Sequence, residues 1–394
     1  MLPGQTEYAY LNLFPDEHRD AKGQKHYSNA IRKQGTSKCF VQDDLYTTVF
    51  NEIENKDIEK IFFGDIDRLG RDAIRYFEDF SYPMKDYKNY LDEMLTYMSA
   101  QKLRTPKGLD WLESEVRSED QNLLLRAMLH YTNMYSALWV EAVWQIADAS
   151  ESDTKFIVSD HPVTIYNRQC GPRHNLCRGA NDPELFLDGS HTIFPLSLNK
   201  ILILTNLSWV RNPYGSSLAK RPNSRQFGDA IFKFLDIQVL RHMSENEVRQ
   251  VNFVIKSRAY EYIAAAKEEW LYPEKYVSKS DWHQFGKGYL FMPDPRPVHA
   301  GGEIFMGFRD GRTAKFDEFG RRPWERDYKK ESKDGADFNS LYRFKGDFAY
   351  LFGPKRRGRI SGPNGLEDEV DDENYHNHML SYRKTKFKDR HRES

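Results

Sequence analysis

The sequence predicts an α+β protein, with a helical N-terminal half packed on a small mixed β-sheet, two C-terminal helices, and then an aromatic-rich extension. Three observations predict it. Apolar residues recur at three- and four-residue spacing between positions 58 and 77, as a buried helix face requires. At Phe156, Ile157 and Val158 the period changes, and short β-branched runs bounded by turn residues take over. Beyond about Leu271 the chain turns rich in Gly, Pro and charge while keeping its rings.

In order, Ile58, Ile61, Phe62, Ile66, Leu69, Ile74 and Phe77 mark the first helix. A second covers residues 87–103 with Leu91, Leu95 and Met98 inward. Pro106 stops it, because the residue before a proline is pushed out of the α region. A third helix is expected over residues 119–147. Its apolar positions cover much of the circumference and place it centrally in the core. Two strands follow at 156–158 and 163–166, with Ser159, Asp160, His161 and Pro162 as the turn between them. Residues 191–194 and 201–204 form another pair, and the continuous apolar character of the second suggests a buried sheet. Helical spacing returns over 229–240 and 245–270. Ser244 followed by Glu247 is a capping-box signature there, in which each side chain satisfies the other's free N–H.

Composition divides the chain into a domain over 1–271, an extension over 272–353 and a charged tail over 354–394. Hydrophobic residues make up 39% and charged residues 30%, and the apolar deficit concentrates beyond Leu271. Aromatics at 14% continue into that region, so residues 282–352 are expected to dock on the core or on a protein partner. Asp310-Gly311 signals a hairpin there. The tail alternates a basic cluster at 355–359, an acidic run at 367–373 and a basic end at 383–392, and reads as disordered.

With 58 basic and 59 acidic side chains there is no global field to hold nucleic acid, and the acidic run interrupts any basic track in the tail. Nucleic acid is therefore a weak partner reading. Three cysteines make no disulfide framework. With no apolar leader and no run of ~20 apolar residues, the expectation is a soluble, cytoplasmic protein that does not enter a membrane.

Four segments in order resemble the domain-of-unknown-function family 4238 across residues 1–270. They are Gln101-x-x-Arg104-Thr105-Pro106 at a helix end, Phe156 to Val163 as a Phe-Ile-x-Ser-Asp-x-Pro-Val strand and turn, a Pro195-Leu196-Ser197 segment leading into a strand, and a helix carrying Asn252. Family members open with a His-containing motif before a Tyr-Leu-x-x-Phe segment. Here Tyr10 to Phe14 supply the latter, but Glu7 and Tyr8 stand where the histidine belongs. The resemblance implies a fold and no particular activity.

Asp160 closes a strand, where ligands of α/β proteins often bind, and it also suits a turn in which it accepts backbone N–H groups. Gln101 and Arg104, three apart on one helix face, could join it as a catalytic group, since a guanidinium holds a carboxylate ionised and receives anionic ligands. His161, Ser159 and Asn252 are candidate ligand-binding residues beside them. Cys170, His174 and Cys177 have soft-ligand chemistry, but their spacing matches no zinc knuckle. Asp43, Asp44, Glu52, Glu54, Glu59, Asp65 and Asp67 around the first helix suit a solvated face better than a Mg²⁺ site. No metal set is assigned and no cofactor is indicated, since Gly-rich phosphate loops and nucleophile elbows are missing. Two readings follow. One is a hydrolase, in its sharper form a metal-dependent nuclease, built on Asp160 and Arg104. The other is a non-catalytic interaction or ligand-sensing protein that uses the extension.

Overall fold

The computed structural model describes residues 5–19, 22, 24–35, 39–40, 48–50, 53–55, 64–80, 87–221, 237–278, 281–300, 303–307, 310–317, 321–326, 328, 336–362, 365–366 and 373–390. Four short strands come first: β1 (Glu7–Asn12), β2 (Glu17–Arg19), β3 (Lys25–Tyr27) and β4 (Ile31–Gly35). The small hairpin of β5 (Thr48–Phe50) and β6 (Ile53–Asn55) leads to four helices, α1 (Gly64–Glu78), α2 (Tyr87–Leu103), α3 (Pro106–Val116) and α4 (Gln121–Val140). Then come β7 (Ala142–Asp148), β8 (Val158–Ser159), β9 (Thr164–Asn167), β10 (Ser190–Pro195) and β11 (Lys200–Asn206). The chain continues through α5 (Leu207–Arg211), β12 (Ile237–His242), α6 (Glu245–Arg258), β13 (Tyr262–Ala265) and α7 (Trp282–Lys287). It ends with β14 (Glu303–Gly307), β15 (Thr313–Asp317), α8 (Ala336–Phe352), β16 (Arg359–Gly362), β17 (Gly365–Leu366) and α9 (Glu373–Arg390).

The α+β class holds, and a seven-stranded sheet ordered β17-β16-β12-β7-β11-β10-β9 forms the middle layer. Every neighbouring pair is antiparallel except β12 on β7. Strand side chains alternate between faces, and both faces are covered here. Trp144 and Ile146 of β7, with Leu202 and Leu204 of β11, face the core shared with α1–α4. Ile201 and Ile203 point the other way, into a core with α6 and a four-stranded sheet ordered β4-β1-β13-β8.

That double burial accounts for one correction. The helix expected over 119–147 ends at Val140, and β7 begins two residues later, buried at all seven positions. A strand covered on both faces shows no alternation, so its apolar run reads as a continuation of the helix. The two helices expected over 229–240 and 245–270 also change. Within the first range the described residues belong to β12, and residues 229–236 lie outside the description. In the second, α6 stops at Arg258 and Tyr262–Ala265 form β13, pairing with β1 and β8. The capping box at Ser244 and Glu247 is complete. Of the residues marking the first helix, Ile58, Ile61 and Phe62 lie outside the description.

The rings of the extension divide between burial and exposure. Trp282, Phe285 and Phe291 sit in the core with α6 and β13. Leu341, Phe344 and Phe348 of α8 pack against Val143, Trp209 and Val210. Phe305 and Trp324 are exposed. The hairpin flanking Asp310-Gly311 forms from β14 and β15.

The tail expected to be disordered carries β16 and α9. The reason is that its charges have partners. Arg357 reaches Glu247 of α6 at 2.6 Å and its N–H donates to Asp294. Asp294 is itself forked with Arg296, whose guanidinium donates to the carbonyls of Gly353, Pro354 and Lys355. Residues 291–297 thus contribute a buried ion pair. Among the described residues no helix is long and apolar enough to cross a membrane.

Candidate functional site

The junction of α2 and α3 starts the site. Thr105 is the N-cap of α3 and accepts from the Gly108 N–H, with Pro106 at the first helical position, where its missing N–H costs nothing. The turn is so tight that a Cβ on Gly108 would lie 2.2 Å from the Lys102 carbonyl oxygen. This packing brings Lys102, from the last turn of α2, and Lys107, from the first turn of α3, to the same place. The turn after β8 delivers His161, and the long loop between β9 and β10 delivers Asp182.

These four side chains form one buried cluster. Asp182 accepts from Lys107 at 2.6 Å through Oδ1, and from Lys102 at 3.1 Å through Oδ2. His161 Nε2 lies 2.9 Å from Oδ2 of the same carboxylate, and His161 Nδ1 lies 2.8 Å from Thr105 Oγ1. Lys107 also donates to the Arg258 carbonyl at 2.8 Å. Burial alone would raise the Asp182 carboxyl, yet Lys107, Lys102 and the His161 hydrogen bond hold it well below the usual carboxylate range. Burial pushes His161 down to about 4 despite Asp182, so the imidazole is neutral at pH 7. Burial also lowers Lys102, with Asp182 opposing the shift and the neighbouring Lys107 and Arg258 adding to it.

The cluster floors a pocket of about 470 Å³. One wall is aromatic: Trp111 and Tyr131 meet edge to face with centroids 4.9 Å apart, and Tyr135 lies 5.9 Å beyond Tyr131. Burial pushes the Tyr135 hydroxyl well above its ordinary range. The 180–186 segment, Glu115 and Lys220 also line the space. The dimensions suit a small molecule, and a lining that combines buried lysines with aromatic rings suits a planar anion.

The hydroxyl–imidazole–carboxylate chain of Thr105, His161 and Asp182 has the composition of a nucleophilic triad. Its geometry argues for a positioning role. Thr105 caps a helix and does not line the pocket, and both imidazole nitrogens already have partners.

Residues 112–269 match the model of the family described as Protein of unknown function (DUF4238). The chain resembles DUF4238. No curated protein and no solved structure matches it. The DUF4238 match holds His161, Asp182, Tyr131 and Tyr135, whereas Lys102 and Lys107 precede it, so the pocket is built from both sides of that boundary. The Gln-x-x-Arg-Thr-Pro segment and the Tyr10–Phe14 segment also precede it.

The sequence-derived candidates turn to different partners. Arg104 forks onto Asp67 of α1, one arm at 2.9 Å, and Gln101 reaches the same carboxylate at 3.5 Å. Asp160 accepts the backbone N–H groups of Tyr260, Glu261 and Tyr262, at 2.9, 2.6 and 2.8 Å, and so fixes the start of β13. Ser159 Oγ donates to the His161 carbonyl, closing the turn. Asn252 is fully buried; it accepts the Ile157 N–H and donates to the Lys155 carbonyl. Of the six candidates, only His161 lines the pocket.

Cys170 and Cys177 are free, and they hydrogen-bond each other, which with Arg258 lowers Cys177 to about 7. Among the described residues no three His, Cys, Asp or Glu side chains are grouped to hold a metal. Asp43, Asp44, Glu52 and Glu59 lie outside the description.

Sequence reasoning missed Lys102, Lys107 and Asp182. Each looked like an ordinary charged residue, and Asp182 sat in a loop that reads as polar filler. The usable signal was local: Gln101-Lys102-x-Arg104-Thr105-Pro106-Lys107 puts two lysines on either side of a Thr-Pro helix restart.

Proposed function

We propose that the protein binds a small planar anion in the pocket above Asp182 and serves as a ligand-binding or ligand-sensing protein. One observation carries the reading: two buried ammonium groups share a single carboxylate, beside a neutral histidine, at the end of an aromatic-walled cavity. A buried charge without a partner is costly, so an arriving carboxylate or phosphate that neutralises the second ammonium is bound strongly. Lys102 spends one of its three N–H donors on Asp182, leaving others for the ligand. The rings of Trp111 and Tyr131 offer stacking faces for a planar group.

The hydrolase reading needs Asp160 and Arg104 in a common cavity with carboxylates of the first helix. Arg104 and Asp67 do pair, but the Asp160 carboxylate is taken up by three backbone donors. That favours ligand binding over hydrolysis.

The test is thermal unfolding of the full chain with benzoate, phenyl phosphate and a nucleoside monophosphate, each against a neutral isostere. At a concentration 100-fold above Kd the bound anion stabilises by roughly 2.7 kcal/mol, and Trp111→Leu weakens the effect. A panel in which no anion raises the melting temperature, or in which neutral isosteres match the anions, overturns the proposal.

A further inference from the structure

We infer that Lys102 captures the carbonyl group of an anionic aldehyde, ketone or 2-oxo acid as an imine. The inference rests on the ligand-binding reading above and specifies the ligand.

The two lysines are not equivalent. Lys107 has two strong acceptors, Asp182 Oδ1 at 2.6 Å and the Arg258 carbonyl at 2.8 Å. Lys102 has one, at 3.1 Å. Both side chains are at most 10% exposed, so water compensates neither of them. Arg258 adds a third cation close enough to act on Lys102. Two lysines share the one carboxylate in contact with them, Arg258 adds positive charge near Lys102, and His161 brings none of its own at neutral pH, while Asp160 acts on Lys107 and Glu115 and Glu184 line the wider cavity. Such an imbalance has two outlets, binding an anion or releasing a proton, and the less tightly held amine releases first. A desolvated lysine beside another cation is the arrangement that makes an amine nucleophilic near neutral pH. Lys102 lines the cavity, so its lone pair has access to a bound molecule.

The step balances without any oxidant or further reactant. The neutral amine adds to the carbonyl carbon, forming the C–N bond while the carbonyl oxygen takes a proton from Lys107, and the nitrogen, now carrying two protons, returns one of them to Lys107 to leave a neutral carbinolamine. Lys107 then protonates the hydroxyl, which leaves as water as the nitrogen lone pair forms the C=N bond, and the last nitrogen proton returns to Lys107. One C=O bond is exchanged for one C=N bond, with water as the only by-product. The anionic part of the ligand stays in the field of Lys107, and a ring occupies the aromatic wall. A ring-bearing 2-oxo acid satisfies all three demands.

Phenylpyruvate with sodium cyanoborohydride is the probe, and peptide mass spectrometry of the reduced adduct is the readout. Phenyllactate has the same ring and charge but no carbonyl, so thermal stabilisation by phenyllactate reports binding by itself. The expected result is adduct on Lys102 at pH 7, formed faster than on any exposed lysine, since a lowered proton affinity raises the free-amine fraction. Lys102→Arg keeps a cation and loses the adduct, with its fold verified by its own unfolding transition. Stabilisation by phenyllactate together with labelling no faster at Lys102 than on surface lysines overturns the imine while leaving anion binding in place. Absence of both overturns the two together.

Discussion

His161 Nε2 sits 2.9 Å from Asp182 Oδ2, and this contact links the charge state of the pocket to the stability of the fold. The imidazole is completely buried, which disfavours its protonated form and sets its titration at about 4. In the unfolded chain it titrates near its ordinary value of 6.5. Between those two values the unfolded state binds a proton that the folded state does not, so stability falls as the pH drops from about 6.5 to about 4. His191 is lowered to about 3 by burial and contributes with the same sign. The loss assignable to His161 is roughly 3 kcal/mol. Urea unfolding at pH 7, 5.5 and 4.5 measures it, and His161→Gln should flatten the profile in this window. An equally steep profile in the variant would remove His161 from the account.

Asp182→Asn should destabilise far more than Asp67→Asn, although both carboxylates hold basic side chains. Asp182 is buried and its loss leaves Lys102 and Lys107 uncompensated, a cost of about 3–5 kcal/mol. Asp67 is 47% exposed and water replaces its contact with Arg104, so the change is about 0–1 kcal/mol. Chemical denaturation of both variants checks the contrast, and similar losses would contradict the assignment of the pocket cluster as the buried one.

Periodicity made α2 legible, and the apolar pair at 191–204 made β10 and β11 legible, because each repeats a regular pattern of burial. The capping box at Ser244 was equally readable, since all its chemistry lies within four residues. What periodicity missed is burial on two sides. Ala142–Asp148 and Ile237–His242 carry apolar runs that look helical until the layers above and below are known. The pocket was harder still. Lys102 and Lys107 flank one Thr-Pro helix restart, but His161 and Asp182 come from two distant stretches of the chain, and the local pattern does not by itself mark either lysine as buried. Asp160 had the more conspicuous motif, and its carboxylate serves the backbone of β13.

Asn252 carries a prediction of its own. Its amide bridges the Lys155 carbonyl and the Ile157 N–H from inside the core, holding the chain just ahead of β8 against α6. Asn252→Leu is close in volume but strips both backbone groups of their partner. The expected loss is about 2–4 kcal/mol, the desolvation cost of two unsatisfied groups. Amide hydrogen exchange should show the Ile157 N–H losing protection before the amides of α6 do. A variant as stable as the parent would mean that the bridge is incidental.

The last prediction concerns the segment around Gly358, where the tail joins the central sheet. Gly358 has φ of +113°, and a Cβ there would lie 2.4 Å from the Val239 carbonyl oxygen of β12. Only glycine adopts that conformation without strain, and only glycine lets β16 approach closely enough to pair with Gln238 and Val239. Arg357, one residue earlier, anchors the approach through Glu247, while Arg241 keeps that carboxylate paired from the other side. Gly358→Ala should therefore cost roughly 1–3 kcal/mol. Arg357→Ala should cost about 1–3 kcal/mol, because a partly buried hydrogen-bonded carboxylate loses one partner and keeps the other. Truncation at Gly353 removes both features together with α9, and leaves the buried Asp294 with Arg296 but without the Arg357 N–H. Its melting temperature should fall by at least as much as that of either point variant. A tail that were a detached, solvated segment would make all three changes silent in thermal unfolding, and silence in all three would disprove the docking of the tail on β12.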